Sequence, residues 1–176
     1  YPVGGVIYFG ANIKNPTQCT DMISNLQSYS KTPLFIAVDE EGGSVARIGN
    51  NENMGTTQFP NMGNIENADE AYNVGYTIGT EIKQFGFNLD FAPVADVDSN
   101  PNNTVIGNRA FSSDPNTAAE YVAAAVKGFN DAGMLCTLKH FPGHGNTSSD
   151  SHLELPRNGC DPETLRRVEF APFKEA

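Results

Sequence analysis

Apolar and polar positions fall into blocks along the chain that predict four strands, each followed by a helix or a long polar loop. Gly4-Gly5-Val6-Ile7-Tyr8-Phe9 is a compact β-branched and aromatic run closed by Gly10, the pattern of a strand buried on both faces. Asn15-Pro16 opens a helix: Asn15 caps, Pro16 suits the first helical position, and Cys19, Met22, Ile23 and Leu26 recur at the spacing of one helical face. Thr32-Pro33 introduces the second strand, Leu34 to Val38, which stops abruptly in Asp39-Glu40-Glu41-Gly42-Gly43. Residues 49 to 67 lack periodicity and read as a long loop over the strand ends. A helix from about Asp69 to Phe85 presents Ala71, Val74, Ile78, Ile82 and Phe85 on one stripe, and Gly86 ends it.

The third strand-like run, Asn88 to Val94, carries Asp90 inside it and Pro93 near its end, and a second Asn-rich loop follows from Asp96 to Ser113. Asp114-Pro115 caps a helix with a small-residue face of Ala118, Ala119, Val122, Ala123, Val126 and Phe129, ending at Gly133. Met134 to Leu138 is the fourth strand, and Asp161-Pro162-Glu163 has the form of a further helix start. Regular βα alternation predicts an α/β protein with a parallel sheet. A doubly wound sheet usually carries a glycine-rich phosphate turn after its first strand, and G-x-G-x-x-G is absent. Polar residues after three separate strands favour a (β/α)8 TIM-barrel-type fold instead. A whole barrel takes roughly 250 residues and eight strands, so four strands predict a partial barrel. One domain over residues 1–176 is expected, truncated at both ends, since Tyr1 is no natural start and the chain stops inside a helical pattern.

Composition narrows the partners. Against 11 Lys and Arg stand 21 Asp and Glu, a net charge of -10, which disfavours nucleic acid and an anionic membrane surface because both need clustered cations. No apolar run approaches the roughly 20 residues of a bilayer span. Cys19, Cys136 and Cys160 are widely spaced with no C-x-x-C pair, so no disulfide framework or structural zinc site is implied, and Cys19 and Cys136 read as small buried hydrophobes. No cofactor motif is present.

The chemistry concentrates between Leu138 and His152, where all three histidines fall beside Lys139 and Asp150 at the end of the fourth strand. That edge is where ligands bind in sheets built from βα units. Lys139 and His140 can line one ligand only if the backbone turns at once, as Phe141-Pro142-Gly143 allows, and a cis Phe141–Pro142 bond is expected there. The spacing of His140 and His144 resembles that of helical zinc ligands, but Pro142, Gly143 and Gly145 exclude a helix, so no metal site is predicted. Asp150-Ser151-His152 reads either as an acid/base pair, with the carboxylate fixing the imidazole tautomer, or as a solvated turn. The Gly143 to Ser151 loop, small and polar, is expected to be mobile without a ligand. Asp39, followed by Glu40, Glu41 and Arg47, reads either as a sugar-hydroxyl ligand or as a hydrated acidic turn with a compensating arginine; Arg109 is either ligand-binding or an ordinary surface residue.

Taken together, GGVIYF, AVDEEGGSVAR, NLDFAPVADV, GNRAFSSDP and KHFPGHGNTSSDSH resemble glycoside hydrolase family 3, in its β-N-acetylhexosaminidase branch, over essentially the whole chain. The resemblance implies a retaining glycosidase acting on terminal β-linked N-acetylglucosamine of cell-wall or chitin oligosaccharides. It implies that Asp39, Arg47, Arg109, Lys139 and His140 hold the sugar, and that His152, oriented by Asp150, is the general acid/base. The family commonly has Arg where this chain has Ser44, and its nucleophilic Asp lies on a later strand, beyond Ala176. A half-barrel that only binds carbohydrate, a β-glucosidase-type relative, and a fragment that self-associates through open sheet edges are the competing readings.

Overall fold

The computed structural model describes residues 3–148 and 155–176. Its main sheet has four parallel strands in chain order: β1 (Gly5–Tyr8), β2 (Phe35–Val38), β5 (Leu89–Asp90) and β6 (Leu135–Cys136). Between β2 and β5 the chain adds a hairpin of β3 (Glu40–Gly42) and β4 (Val45–Ala46). The helices are α1 (Pro16–Tyr29), α2 (Ala68–Gln84) and α3 (Pro115–Asp131), each following its strand in the order predicted.

Helix starts follow the caps in the sequence. Asn15 Oδ1 accepts from Gln18 N at 2.9 Å, and Asp114 Oδ1 accepts from Asn116 N and Thr117 N at 3.1 and 2.9 Å. α2 begins one residue before the expected Asp69, because Asn67 is the cap and accepts from Glu70 N. On α3 the buried face is Ala118, Ala119, Val122, Ala125, Gly128 and Phe129, so Ala123 and Val126, expected on that face, are only half-buried. The reason lies in the partner helix: Gly75 of α2 meets the Ala125 backbone and Gly128 meets that of Tyr72, and only residues without bulk permit so close an approach. Met22, expected on the α1 stripe, is exposed, while Cys19 and Ile23 are buried.

The helices cover one face of the sheet. Tyr8, Ile36 and Val38 point into the core shared with Ile23, Ile78, Ile82, Val122 and Phe129, whereas Ile7, Phe35 and Leu135 remain exposed on the other face. Helices on one side and an open apolar face on the other are the arrangement of a TIM-barrel-type sheet, whose interior is filled by its own strands.

Two strands are shorter than the sequence suggests. β5 stops at Asp90 instead of reaching Val94, since Pro93 has no N–H to donate, and parallel pairing resumes at Val94 opposite Lys139. β6 stops at Cys136 because Thr137 N donates to both the Asp90 and Ala92 carbonyls. Nor are the two long loops featureless. Residues 49 to 67 contain short 3-10 turns at Glu52–Met54 and Met62–Asn64 that bury Met54 and Met62, and the loop after β5 buries Val97, Ile106 and Phe111. The C-terminal stretch begins where predicted: Asp161 caps α4 (Pro162–Thr164), a π turn spans Leu165–Glu169, and α5 is Ala171–Glu175. No helix among the described residues is long and apolar enough to cross a membrane.

Candidate active site

At the end of β2 the chain must leave the sheet and return, and Gly42 and Gly43, both at positive φ (89° and 57°), let it turn back on itself as β3 and β4. The acidic run is therefore not the hydrated turn that sequence allows. Glu40 and Glu41 are each only 4% exposed. Glu40 turns into the hairpin, where Oε2 accepts from Ile48 N at 2.7 Å and Oε1 from Gly49 N at 2.8 Å. Burial pushes its carboxyl up to about 7, against those amides and the nearby Arg47 charge that favour the anion. Glu40 thus fixes the path of the segment that carries Arg47.

Asp90, the acid inside the third strand, is wholly buried and accepts from Glu40 N at 2.9 Å, capping the amide exposed where β2 ends. Burial pushes its carboxyl well above the usual carboxylate range. A neutral Asp90 can occupy this apolar floor without an ion partner.

Above that floor the charged residues meet. Lys139, at the end of β6, places Nζ 2.7 Å from Asp39 Oδ1 and 2.6 Å from Glu41 Oε1. Arg109 grips Glu41 from the other side, with Nε on Oε2 at 2.8 Å and Nη2 on Oε1 at 2.7 Å, while Nη1 donates to the Val105 carbonyl. The fork geometry suits a carboxylate, and although burial opposes the Arg109 charge, the Glu41 pair more than offsets it. Arg47 lies at the rim, Nη2 3.9 Å from Asp39 Oδ2. It also lines a polar cleft of about 530 Å³ with Ser44, Asn50, Asn51 and Asn53.

His140 turns to a different acid. Asp96 Oδ2 accepts from its backbone N at 3.2 Å and lies 2.5 Å from its Nδ1, while Asp96 Oδ1 accepts from His144 N at 2.6 Å. A carboxylate accepts only, so Nδ1 carries the proton, and Nε2 has no hydrogen-bond partner among the described residues. Asp96 itself is wholly buried. His144 is 8% exposed, its Nδ1 2.6 Å from Thr147 Oγ1. It is a support of the loop. The Phe141–Pro142 bond is cis, as expected, and Ala92–Pro93 and Lys139–His140 are cis as well.

The loop after His140, expected to be mobile, is buried and bonded over its first half. Asn103 Nδ2 donates to the His144 and Gly145 carbonyls at 2.7 and 3.1 Å, and Asn100 Nδ2 to the Thr147 carbonyl at 3.2 Å. A side chain at Gly145 would overlap the Val97 carbonyl, so the loops after β5 and β6 lie backbone to backbone. Asp150 and His152, the predicted acid/base pair, lie outside the described residues.

The structure thus brings Asp39, Arg109, Lys139 and His140 to the C-terminal end of the sheet, with Arg47 at the edge. Sequence reasoning missed Glu41 and Asp96 as members of the group. Asp96 had a signal: it sits in the apolar run Val94-Ala95-Asp96-Val97, and an acid buried in such a run needs partners.

A sequence model described as the glycosyl hydrolase family 3 N-terminal domain matches residues 1–176. The chain belongs to glycoside hydrolase family 3. It is 43% identical to a protein named β-hexosaminidase A from Pseudoalteromonas piscicida, over 99% of this chain and 31% of that one. A family 3 β-N-acetylglucosaminidase structure from a Paenibacillus species matches with a TM-score of 0.93 at 41% identity, covering 99% of this chain and 34% of the other. NagZ from Neisseria gonorrhoeae, solved in complex with N-trifluoroacetyl-D-glucosamine, matches with a TM-score of 0.88 at 36% identity, covering 98% and 51%. A further structure of that NagZ holds zinc. Among the described residues of this family 3 chain, no group of three or more His, Cys, Asp or Glu side chains could hold a metal ion. The chain spans between about a third and a half of the length of these relatives.

Proposed function

We propose that the intact protein carrying this domain is a retaining glycoside hydrolase that removes terminal β-linked N-acetylglucosamine from cell-wall or chitin oligosaccharides, without a cofactor. The observation that carries the reading is the convergence of Asp39, Arg109, Lys139 and His140 at the strand ends, in a chain whose relatives are named β-hexosaminidase and β-N-acetylglucosaminidase. Sugar hydroxyls both donate and accept, and this group offers both: Asp39 accepts, the third Lys139 proton and the remaining Arg109 and Arg47 protons donate, and His140 presents Nε2. Close ion pairs hold Asp39, Lys139 and Arg109 in place, and Asp96 holds His140, before the sugar arrives, so little ordering cost remains at binding for these four.

In this reading His152 is the general acid/base, with Asp150 holding its ring. It donates to the departing glycosidic oxygen while a carboxylate nucleophile attacks the anomeric carbon; it then takes a proton from the water that displaces that carboxylate. Imidazole suits both steps near neutral pH, with a reference pKa of about 6.5. Sequence outside these 176 residues supplies the nucleophile and the strands that cover Ile7, Phe35 and Leu135. These 176 residues alone are therefore inactive and self-associate through the open sheet edges.

Hydrolysis by the full-length protein tests the reading. An aryl N-acetyl-β-glucosaminide should be cleaved well and the corresponding β-glucoside poorly, with the β-anomer as the first product by proton NMR. Preference for the glucoside would make this a β-glucosidase, and a first-formed α-anomer would exclude a covalent intermediate. Binding without cleavage would leave a carbohydrate-binding domain.

A further inference from the structure

Beneath the Phe141-Pro142-Gly143 turn lies a carboxyl that the proposed mechanism does not use. Glu169, the last residue of the π turn Leu165–Glu169, has no exposed surface. Its Oε1 accepts from Ser99 Oγ at 3.2 Å, and its Oε2 is buried with no hydrogen-bond partner among the described residues. A side chain at Gly143 would run into Glu169 itself, so the carboxyl is packed against the backbone that leads from His140 to His144. A π turn shifts the register by one residue relative to an α-helix, and such turns recur at functional sites. Here the shift ends on Glu169.

We propose that Glu169 is a positioning residue whose buried carboxyl carries a proton when the site is competent, and whose ionisation releases the Gly143–His144 turn and loosens the hold of Asp96 on His140. The idea rests on the hydrolase reading for its kinetic consequence but not for its structural one. The groups facing Glu169 are Ser99 and Asp96 from the loop after β5, Cys160 from the segment ahead of α4, and the Gly143 turn. The charged residues of the packed helices, Glu120, Lys127 and Asp131 on α3 and Lys174 and Glu175 on α5, are exposed, as are Arg166 and Arg167 of the π turn. Among the described residues the charge that acts on Glu169 is that of Asp96, which is bonded to His140 and His144. Burial pushes the Glu169 carboxyl up to about 7, the Ser99 hydroxyl pulls it back, and Asp96 pushes it further up. As a neutral acid it has a proton on the oxygen that lacks a donor. Ionised, it places a second negative charge beside Asp96 with only one hydroxyl to stabilise it.

The sign of the pH effect follows. The folded state binds the proton more tightly than the unfolded chain, so stability falls as pH rises from the ordinary glutamate range to about 7 and stays lower above it. In the full-length protein the thermal midpoint should drop by several degrees between pH 5 and 8, and Glu169→Gln should make that slope measurably shallower, the remainder belonging to Glu40 and Asp90, which burial also pushes up. On an activated aryl N-acetylglucosaminide, kcat/KM does not need a protonated His152, so the part of its decline above neutral pH that Glu169→Gln removes reports Glu169. Glu169→Gln should carry the plateau at least one pH unit higher, giving roughly a tenfold advantage over wild type on the alkaline limb. Ser99→Ala, which removes only the bond favouring the anion, should move the wild-type limb upward by a fraction of a unit while leaving the acid plateau intact. Coincident stability slopes for wild type and Glu169→Gln, or a Ser99→Ala limb displaced downward, would overturn the proposal. Since the midpoint measurement needs no turnover, failure of the hydrolase reading would leave that arm decisive.

Discussion

Replacing His152 with alanine in the full-length protein is expected to lower turnover on an N-acetylglucosamine disaccharide by on the order of a hundred- to ten-thousand-fold, the usual contribution of a positioned general acid. The same change should cost far less on an aryl substrate whose phenolate departs without protonation. The asymmetry follows from where the proton is needed: an alkoxide leaving group must be protonated as its bond breaks, and a stabilised phenolate need not be. With the activated substrate the second half-reaction becomes limiting, because water then lacks its base. A burst of phenolate should precede slow steady turnover, and an added small anion such as azide should restore part of the rate. Asp150→Asn should give an attenuated form of the same pattern. Equal losses on both substrates would remove His152 from the role of acid, and negligible losses would return Asp150-Ser151-His152 to a solvated turn.

Lys139→Ala should lower kcat/KM on every substrate by a comparable factor, without that dependence on the leaving group. The Lys139 ammonium bridges Asp39 at 2.7 Å and Glu41 at 2.6 Å, and its side chain is 15% exposed. Its loss leaves two carboxylates in a half-buried pocket with only Arg109 and the distant Arg47 to balance them. Breaking one partner out of a buried ion group costs about 3–5 kcal/mol, which corresponds to roughly two to four powers of ten in rate when it falls on the bound complex. Part of the cost falls on the fold, so the thermal midpoint should fall too, and Lys139→Met, which retains the bulk, should recover stability more than activity. Lys139→Arg should fail as well, because a planar guanidinium cannot place a single donor between Asp39 and a Glu41 carboxylate already gripped by Arg109. A Lys139→Ala enzyme with unchanged kcat/KM would mean the ion group is a structural clasp.

The sequence carries the order of strands and helices plainly, because caps such as Asn15-Pro16 and Asp114-Pro115 and the β-branched runs are local signals with local causes. The gathering of Asp39, Arg109, Lys139 and His140 was legible for a topological reason: residues that follow parallel strands share one end of the sheet. What local patterns do not carry is the choice of partner. Glu40 and Glu41 are adjacent acids of the same type, yet one faces the amides of Ile48 and Gly49 and the other faces Arg109 and Lys139, a difference set by the strand pleat and the hairpin return. His140 finds Asp96 across 44 positions, and Asn103 reaches His144 across 41. Those pairings belong to loops whose paths are fixed by packing, such as the close approach of Gly145 to Val97, and no periodicity announces them.

The claim that underlies the account is that a terminal N-acetylglucosamine sits over the Asp39–Lys139–Arg109 group with His140 beside it. A crystal structure of the full-length protein soaked with N-acetylglucosamine tests this directly. Sugar hydroxyls are expected within hydrogen-bond distance of Asp39, Lys139, Arg109 and His140 Nε2, with Asp96 still on Nδ1. Sugar density elsewhere, for instance in the cleft of Ser44, Asn50 and Asn53 with the Lys139 group untouched, would contradict it.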